Sequence, residues 1–359
     1  MGKSLRKQGN ASNYLTYIVV IAAFIILQAM SSLGMLGSAI KGYLVPCCAY
    51  IVLAISLNLL VGICGELSLG HAGFMGIGAF TAAVISAMLK DYVPNDIIRL
   101  VFAMVTGGIL AGIVGFLIGI PVLRLRGDYL AIVTLAFGEI LKNIIGNVYV
   151  GKDIDGFHFA ITTEKLKLAE GGTLFVSGPL GATGIEKIST FPMGIALIIF
   201  TLFVVQNLIN SKEGRAIKAI RDNRIAAESV GINVTAFRMK AFVVSAFLAG
   251  MAGALFGLNY SSLAATKFNF NTSINILVFV VLGGMGNILG SIISATVLYI
   301  LPEALRELED FRMILYAIVL ILVMLFTWSP KFKNFVSATV DQIRQKFGKS
   351  NREEAEHNG

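Results

Sequence analysis

Apolar and polar stretches alternate along the chain at the length of membrane-spanning helices. About 20 consecutive apolar residues span the hydrocarbon region of a bilayer as a helix. Six stretches have that length and few charged residues: 14–36, 43–64, 100–123, 192–210, 240–260 and 312–328. The pattern therefore predicts an all-α, polytopic membrane protein.

Three further apolar stretches are less regular. Residues 66–89 contain several glycines, residues 128–148 carry Glu139 and Lys142, and glycines interrupt residues 273–301. Glycine lets membrane helices break or pack closely. We interpret 273–301 as two half-length segments that form a hairpin, either spanning or re-entrant. The chain then makes about 8–10 passages, including broken or re-entrant helices.

The composition agrees with this interpretation. Hydrophobic residues make up 56% of the chain and charged residues 14%, against about 25% charged in soluble domains. The formal net charge is +8, but the basic residues cluster between apolar runs, as topological signals do. We therefore expect contact with membrane lipid and no binding of nucleic acid.

The distribution of Lys and Arg predicts the orientation. Ten passages place more basic residues on the cytoplasmic side and put both termini there. Residues 1–13 then form a cytoplasmic N-terminus, 14–328 a single transmembrane domain, and 331–359 a charged cytoplasmic tail. Within the domain, 149–191 is an external loop and 211–240 a cytoplasmic loop. The external loop is long enough for a cap, a gate or a docking surface.

The cytoplasmic loop has strong helix signals. Ser211 is a plausible N-cap and Gly231 a plausible C-terminal cap residue. Basic residues recur at every third position between them: Arg215, Lys218, Arg221 and Arg224. Such a helix can dock onto another protein or rest on anionic lipid, and the periodicity favours neither.

Residues for catalysis or for metal binding are not grouped in the sequence. Cys47, Cys48 and Cys64 lie in apolar segments, where they are expected to pack. The run Phe347–Ser350 looks like the end of a phosphate loop, but Ile343 stands where the first glycine is required. We predict no catalytic residue, no metal and no cofactor bound by this chain.

Four glycine-rich blocks carry a family resemblance. They are GELSLGHAGFMGIG (65–78), GDYLAIVTLAFGE (127–139), SGPLGATG (177–184) and LGGMGNILG (282–290). In this order they resemble the permeases of branched-chain amino acid importers, of the LivM type. The resemblance extends from about Leu57 to Phe326. Glu186 and Ser291 depart from it, since proline is expected at both positions.

The cytoplasmic loop adds to the resemblance. Ala226 and Ala227 precede Gly231 at the interval found in the coupling motif of ABC importer permeases, although Ile225 replaces a usual Glu. The resemblance implies that ATP is bound by partner subunits, which dock on this loop. The residues expected to couple to them are Arg215, Arg221, Ala226, Ala227, Glu228 and Gly231.

The resemblance also implies a complex in the bacterial cytoplasmic (inner) membrane. Its expected members are two ABC ATPase subunits, a second homologous permease and an external soluble substrate-binding protein. This chain would contribute half of a pathway for leucine, isoleucine and valine, and would not itself be an enzyme.

The broken, glycine-rich segments are the candidate translocation pathway. Its expected residues are Glu66, Ser68, Gly70, His71, Gly73, Phe74, Gly76, Gly283, Gly284 and Gly286. Broken helices expose backbone groups that can bind an amino acid. Close helix packing explains the glycines equally well, and His71 can be a core histidine. Glu139 and Lys142 are expected to neutralise each other on one helix.

Three other functions stay open at this point. A proton-coupled carrier would use Glu66, His71, Glu139 and Lys142 as a relay, without any ATPase. A channel would need a ring of polar residues, for which the sequence offers no repeated candidate. A permease of the same family for another small solute fits the same motifs.

Overall fold

The computed structural model describes residues 2–34, 37–125, 127–153, 156–160 and 173–305, with 314, 317–318 and 320–321. The predicted tail at 331–359 and most of the predicted span at 312–328 lie outside the described residues. The helices are α1 Gly2–Ser32, α2 Ser38–Asn58, α3 His71–Leu89, α4 Asp96–Val122, α5 Asp128–Ile145, α6 Phe191–Asn210, α7 Lys212–Asp222, α8 Arg224–Ser229, α9 Val234–Gly257, α10 Phe270–Gly283 and α11 Ile288–Ala304.

Helices α3, α4, α6 and α9 run between two opposite ends of a bundle. At one end lie α7, α8 and the turns before α3 and after α4, and we call this the loop end. Arg238 joins its parts by donating to the Leu123 carbonyl. The other end, called the sheet end, holds residues 173–190 and the turn before α4. There the Ile188 N–H donates to the carbonyl of Leu258, just after α9.

A small antiparallel sheet covers the sheet end, so the expectation of an all-α fold is wrong there. Its strands are β1 Tyr149–Asp153, β2 Gly156–Ala160, β3 Thr173–Ser177, β4 Ala182–Thr183 and β5 Ser262–Leu263, in the order β2-β1-β3-β4-β5. Tyr149 lies opposite Ala160 and Ser177. These runs are short and rich in aromatic and β-branched residues, which favour strands. Most of the described part of the predicted external loop therefore lies in regular elements.

Five helical stretches of the described residues are long and apolar enough to cross a membrane: Ile40–Cys64, His71–Leu89, Asp96–Val122, Phe191–Asn210 and Val234–Gly257. Shorter apolar helices cover Thr16–Ser32, Phe270–Gly283 and Ile288–Glu303. The last two confirm that the stretch predicted as a hairpin is broken into two short helices. Helix α1 begins at Gly2, so residues 2–13 extend the first helix. The orientation and total number of passages stay predictions.

Helices α3, α4 and α9 meet through glycines at the centre of the bundle. A methyl group at Gly78 would overlap the backbone of Gly250 in α9, and one at Gly107 of α4 would lie 2.9 Å from the Gly78 carbonyl oxygen. Another at Gly253 would overlap the Met75 carbonyl. These backbones touch because neither side has a side chain to hold them apart. They form one closely packed unit that supports the candidate sites.

Candidate functional site

The second membrane helix changes geometry near the loop end. After α2, residues Leu59–Cys64 form a π-helical segment that ends at Gly65, whose φ is +76°. In a continued α-helix the Glu66 N–H would donate to Gly62, but here it donates to the Leu60 carbonyl at 3.0 Å. The chain then leaves helical geometry until α3 begins at His71. Of the glycine-rich run 65–78, only 65–70 are therefore broken, because 71–78 are the first turns of the continuous helix α3. Single π-helical turns are frequent at functional sites.

Asn58 connects this break to the turn between α10 and α11. Its amide nitrogen donates to the Asn287 carbonyl at 3.1 Å and to the Ser291 hydroxyl at 2.9 Å. Its amide oxygen accepts from the Gly286 N–H at 2.8 Å. Asn58 and Ser291 are both fully buried. Sequence reasoning missed Asn58, whose only signal was that it is an amide side chain inside an apolar run. The hydrogen bond from Asn58 also explains why a serine stands at position 291.

The predicted glycines of the α10–α11 turn lie at this connection. Gly284 and Gly286 have φ of +90° and +86°, a region that strongly favours glycine. A methyl group at Gly283 would lie 2.5 Å from the Gly290 carbonyl carbon, so the two short helices touch there. The structure therefore brings Gly286 against Gly62 of the π-helical segment, whereas Gly283 and Gly284 contact the hairpin itself.

The glycines at the start of α3 face other helices. A methyl group at Gly70 would overlap the Thr134 carbonyl, and one at Gly73 would lie 3.0 Å from Gly138 Cα. At Gly76 the neighbour is the Phe268 ring, at 3.1 Å. In this single chain all three glycines have the environment of close packing, and their role in translocation stays a prediction.

The polar residues beside these glycines are buried. The Nε2 atom of His71 forms a 2.8 Å hydrogen bond with the Ser56 hydroxyl, and His71 is fully buried, as a core histidine is. Ser68 is 1% exposed and its hydroxyl has no hydrogen-bond partner among the described residues. Phe74 packs edge-on against Phe242 of α9, with ring centroids 5.7 Å apart. A translocation path along these residues therefore requires that the helices move or that a second chain contributes part of it.

Glu66 forms an ion pair with a buried arginine. Its carboxylate lies 2.5 Å from Arg238 Nη2, and the Arg238 side chain is 3% exposed. Glu66 lies between two spanning stretches; its burial raises its pKa, and the Arg238 charge opposes that shift. Both residues line a polar cavity of about 380 Å³ with Asp128, Arg221 and Arg224. The cavity opens at the loop end.

Glu139 and Lys142 form the expected ion pair on α5. The Glu139 carboxylate also accepts the Phe270 N–H at 3.0 Å, at the first residue of α10. The first N–H groups of a helix lack intrahelical partners. Glu139 therefore fixes where α10 begins, in addition to pairing with Lys142.

The predicted loop helices are present as α7 and α8. Ser211 caps α7 by accepting the Gly214 N–H at 3.1 Å. Ile217 and Ile220 are buried against the bundle, whereas Arg215 is exposed. Arg221, in the last turn, donates from Nη1 to the Gly62 carbonyl at 2.9 Å. This predicted coupling residue therefore contacts the π-helical segment directly.

In α8, the two predicted alanines face opposite ways. Ala226 is exposed, whereas Ala227 is 3% exposed and packs with Ile220 and Val234. The Ala227 side chain therefore does not lie on the surface where sequence reasoning placed it, because the helical phase turns it inward. Exposed apolar side chains occur instead at Ile225 and Val230, which are 80% and 75% exposed.

The other predicted residues of this loop shape its end. Glu228 pairs with Arg224 at 3.0 Å. Gly231 has φ of +83°, and the Ile232 N–H donates to the Ala227 carbonyl at 3.1 Å. This is the Schellman pattern, which confirms Gly231 as the capping glycine. We call Ile225, Ala226 and Val230 the exposed α8 face.

A second charged cluster lies at the sheet end. Glu186 binds Arg99 at 2.8 Å and Lys90 at 2.7 Å, and Arg99 also pairs with Asp96 at 2.7 Å. The Lys90 hydrogen bond is the main cause that lowers the pKa of Glu186. Glu186, like Ser291, stands where the family pattern has proline. Its two ion pairs connect the loop after β4 to the end of α3 and to α4.

A bundle of apolar helices with a broken second helix, a short-helix hairpin and an amphipathic loop is the architecture of a multi-pass membrane protein. The family described as "Branched-chain amino acid transport system / permease component" matches residues 39–327. The chain belongs to this family.

Similar proteins include the high-affinity branched-chain amino acid transport system permease proteins LivM of Salmonella typhimurium and Escherichia coli. Each is 33% identical over 323 residues, covering 85% of this chain and 72% of the relative. The ribose import permease protein RbsC of Haemophilus influenzae is 27% identical over 286 residues, covering 76% of this chain and 80% of the relative. No solved structure gives a significant match.

Proposed function

We propose that this chain is a permease subunit of an ATP-driven importer of leucine, isoleucine and valine. The match of residues 39–327 to the permease family carries the proposal. The relatives that cover most of the chain at 33% identity are named as branched-chain amino acid permeases. This chain forms half of the translocation pathway and is not itself an enzyme.

The importer lies in the bacterial cytoplasmic membrane, with the loop end and both termini in the cytoplasm. The supporting observation is the charge of the loop end, where Lys212 and Arg215 of α7 are exposed. Cytoplasmic loops of membrane proteins carry an excess of Lys and Arg. The sheet end is then external.

Two ABC ATPase subunits bind and hydrolyse ATP, and one of them docks on α7 and α8 of this chain. The exposed α8 face supports this, because apolar side chains on a loop helix are suited to a protein groove. Arg215 is exposed on α7 and supplies charge to the docking surface, whereas the Arg221 guanidinium donates to the Gly62 carbonyl on the permease side. The ATPase dimer closes when it binds ATP. Because the closed dimer binds one state of the permease more tightly than the other, its closure shifts the permease between the outward-open and inward-open states.

A second homologous permease supplies the other half of the pathway, and a soluble binding protein delivers the amino acid to the sheet end. The folded sheet supports a docking role, since Phe159 and Leu180 are exposed in this region. The pathway passes the broken second helix and the α10–α11 turn. Backbone groups in both breaks suit the ammonium and carboxylate groups of an amino acid.

The test is reconstitution with candidate partner chains. The tagged chain is coexpressed with a second permease of the same family and two ABC ATPases from a branched-chain amino acid importer, placed in vesicles loaded with ATP, and supplied with external binding protein. We expect ATP-dependent uptake of labelled leucine, competed by isoleucine and valine. Uptake by the purified chain alone under a proton gradient, without ATP, would overturn the proposal.

Another small solute is the second candidate, because the ribose import permease of Haemophilus influenzae covers 76% of this chain at 27% identity. The same vesicles decide between them. Competition of leucine uptake by isoleucine but not by ribose supports the amino acid. ATP-dependent ribose uptake with no leucine uptake would show that ribose is the substrate, while the protein would still be a subunit of an ATP-driven importer.

A further inference from the structure

We propose that Arg221 transmits movement of the loop helices to the α10–α11 turn through Gly62 and Asn58. The inference rests on the proposed function, in which α7 and α8 receive the ATPase. It makes Arg221 a positioning residue for transport, acting through the π-helical segment and not by contact with the transported solute.

The first contact joins α7 to the π-helical segment. Arg221 Nη1 donates to the Gly62 carbonyl at 2.9 Å. That carbonyl has lost its usual α-helical donor, because the Glu66 N–H turns to Leu60. The last carbonyls of a helix carry partial negative charge, which a guanidinium stabilises. Arg221 therefore replaces a backbone hydrogen bond at the point where the helix breaks.

The stem of Arg221 is also held in place. A methyl group at Gly65 would lie 2.7 Å from Arg221 Cγ, so the stem rests directly on the backbone there. The Asp222 carboxylate accepts from Arg221 Nε at 3.1 Å and from Nη2 at 2.9 Å. These contacts leave Nη1 directed at Gly62. A displacement of α7 thus acts on the π-helical segment through a side chain that is held at both its stem and its guanidinium group.

The second contact joins the same segment to the α10–α11 turn. A methyl group at Gly62 would overlap both the Asn58 amide oxygen and the Gly286 backbone nitrogen. Asn58 then binds Gly286, Asn287 and Ser291 by three hydrogen bonds. The turn therefore follows the π-helical segment when that segment moves. Both contacts are at Gly62, so movement passes through one residue.

Lys218 provides a matched control. It is a basic residue of the same helix, one turn before Arg221, and is partly exposed. Among the described residues no hydrogen bond or ion pair is recorded for it. Replacing Lys218 removes the same charge from α7 without touching Gly62.

The experiment uses the complete reconstituted importer with Arg221→Ala, Arg221→Lys and Lys218→Ala. We expect the Arg221→Ala complex to retain its ATPase subunits and its basal ATP hydrolysis, while uptake per ATP falls about tenfold, as coupling energies of this kind allow. Arg221→Lys should recover part of the uptake, since Lys also donates to a carbonyl. Lys218→Ala should stay within about twofold of the unchanged protein.

A second variant tests the far end of the connection and keeps the proposal falsifiable if Arg221→Ala does not assemble. Ser291→Ala removes one acceptor of Asn58 and should lower uptake per ATP about threefold. Because both changes interrupt one connection, the double variant should transport about as well as Arg221→Ala alone. The inference would be overturned if the loss in the double variant were the product of the two single losses. Normal uptake per ATP in Ser291→Ala, or equal losses in Arg221→Ala and Lys218→Ala, would also overturn it.

The outcome for the unchanged complex separates this inference from the proposed function. If that complex shows no ATP-dependent uptake, the proposed function fails. If it transports and Arg221→Ala transports equally well per ATP, only the inference fails.

Discussion

The two ends of the bundle are held together by different kinds of contact. At the sheet end, the bridges of Glu186 to Arg99 and Lys90 and of Lys152 to Asp91 join separate elements, and strands add their own hydrogen bonds. At the loop end, ion pairs also join separate elements, Arg238 to Glu66 and Lys240 to Glu213, but the π-helical segment meets the α10–α11 turn through glycine backbones and Asn58. Several distributed bridges at the sheet end resist movement, whereas in our proposal the contacts of Gly62 pass movement from α7 to the α10–α11 turn. In the proposed importer, the sheet end is then the fixed end and the loop end the moving one.

Gly62→Ala should give the largest effect and would test the loop end most directly. The added methyl group overlaps Asn58 and Gly286, and overpacking of this kind costs about 1–3 kcal/mol or more. We expect uptake to fall more than tenfold, with loss of thermal stability in detergent. Gly112→Ala is the control, since its nearest neighbouring atom would be at 3.6 Å. Equal behaviour of the two variants would contradict the tight contact.

The substitutions Ala226→Trp and Ala227→Trp test which alanine of α8 is buried at the loop end. At the buried Ala227 it should disrupt the packing with Ile220 and Val234, at a cost of about 1–3 kcal/mol. At the exposed Ala226 it should leave the loop folded and reduce the amount of ATPase that copurifies. Limited proteolysis of the loop and the ATPase content of the complex measure the two effects. Rapid cleavage of both variants alike would contradict the difference in burial.

Glu186→Gln tests the sheet end and should have a smaller effect. It removes the ion pairs to Lys90 and Arg99, but the Glu186 side chain is 41% exposed and Arg99 keeps Asp96. Screening by solvent limits the expected loss to about 0.5–1 kcal/mol. Hydrogen exchange at residues 173–183 should increase while uptake stays nearly unchanged. A large loss of uptake would show that the sheet end takes part in the moving step.

Acid should weaken the sheet end only slightly. The pKa of Glu186 is lowered in the folded protein, chiefly by its hydrogen bond to Lys90. Its contribution to stability is therefore complete above the ordinary glutamate value of about 4.3 and is lost as the pH falls through the lowered value. Amide hydrogen exchange at residues 173–183, divided by the intrinsic exchange rate at each pH, should be as slow at pH 5.5 as at pH 7. Glu186→Gln should lack the further loss expected near pH 4.

The features that sequence predicted correctly have local signals. The helix break follows from a glycine-rich run, Ser211 and Gly231 are caps with well-known preferences, and Glu139 and Lys142 are three residues apart on one helix. Each of these depends on residues that are near one another in the chain. Local chemistry was sufficient to identify them.

The features that sequence missed depend on partners far along the chain. Asn58 binds residues more than two hundred positions away, and Glu186 binds Arg99 of an earlier helix. The burial of Ala227 depends on where α8 lies against α9. The sheet was missed because short strands between spanning segments have little hydrophobic periodicity. Two positions where proline was expected, 186 and 291, proved to be places where this chain forms side-chain contacts of its own.

The glycine contacts among α3, α4 and α9 predict how the protein tolerates mutation. At Gly78, Gly250 and Gly253 even alanine would overlap a neighbouring backbone, so a transport-selected library should retain glycine there almost without exception. On the outer side of α4, Ile113 and Leu117 are exposed apolar residues, and such positions should exchange freely among apolar side chains. The central helices should therefore show a narrow line of invariant positions beside a surface on which only hydrophobicity is selected.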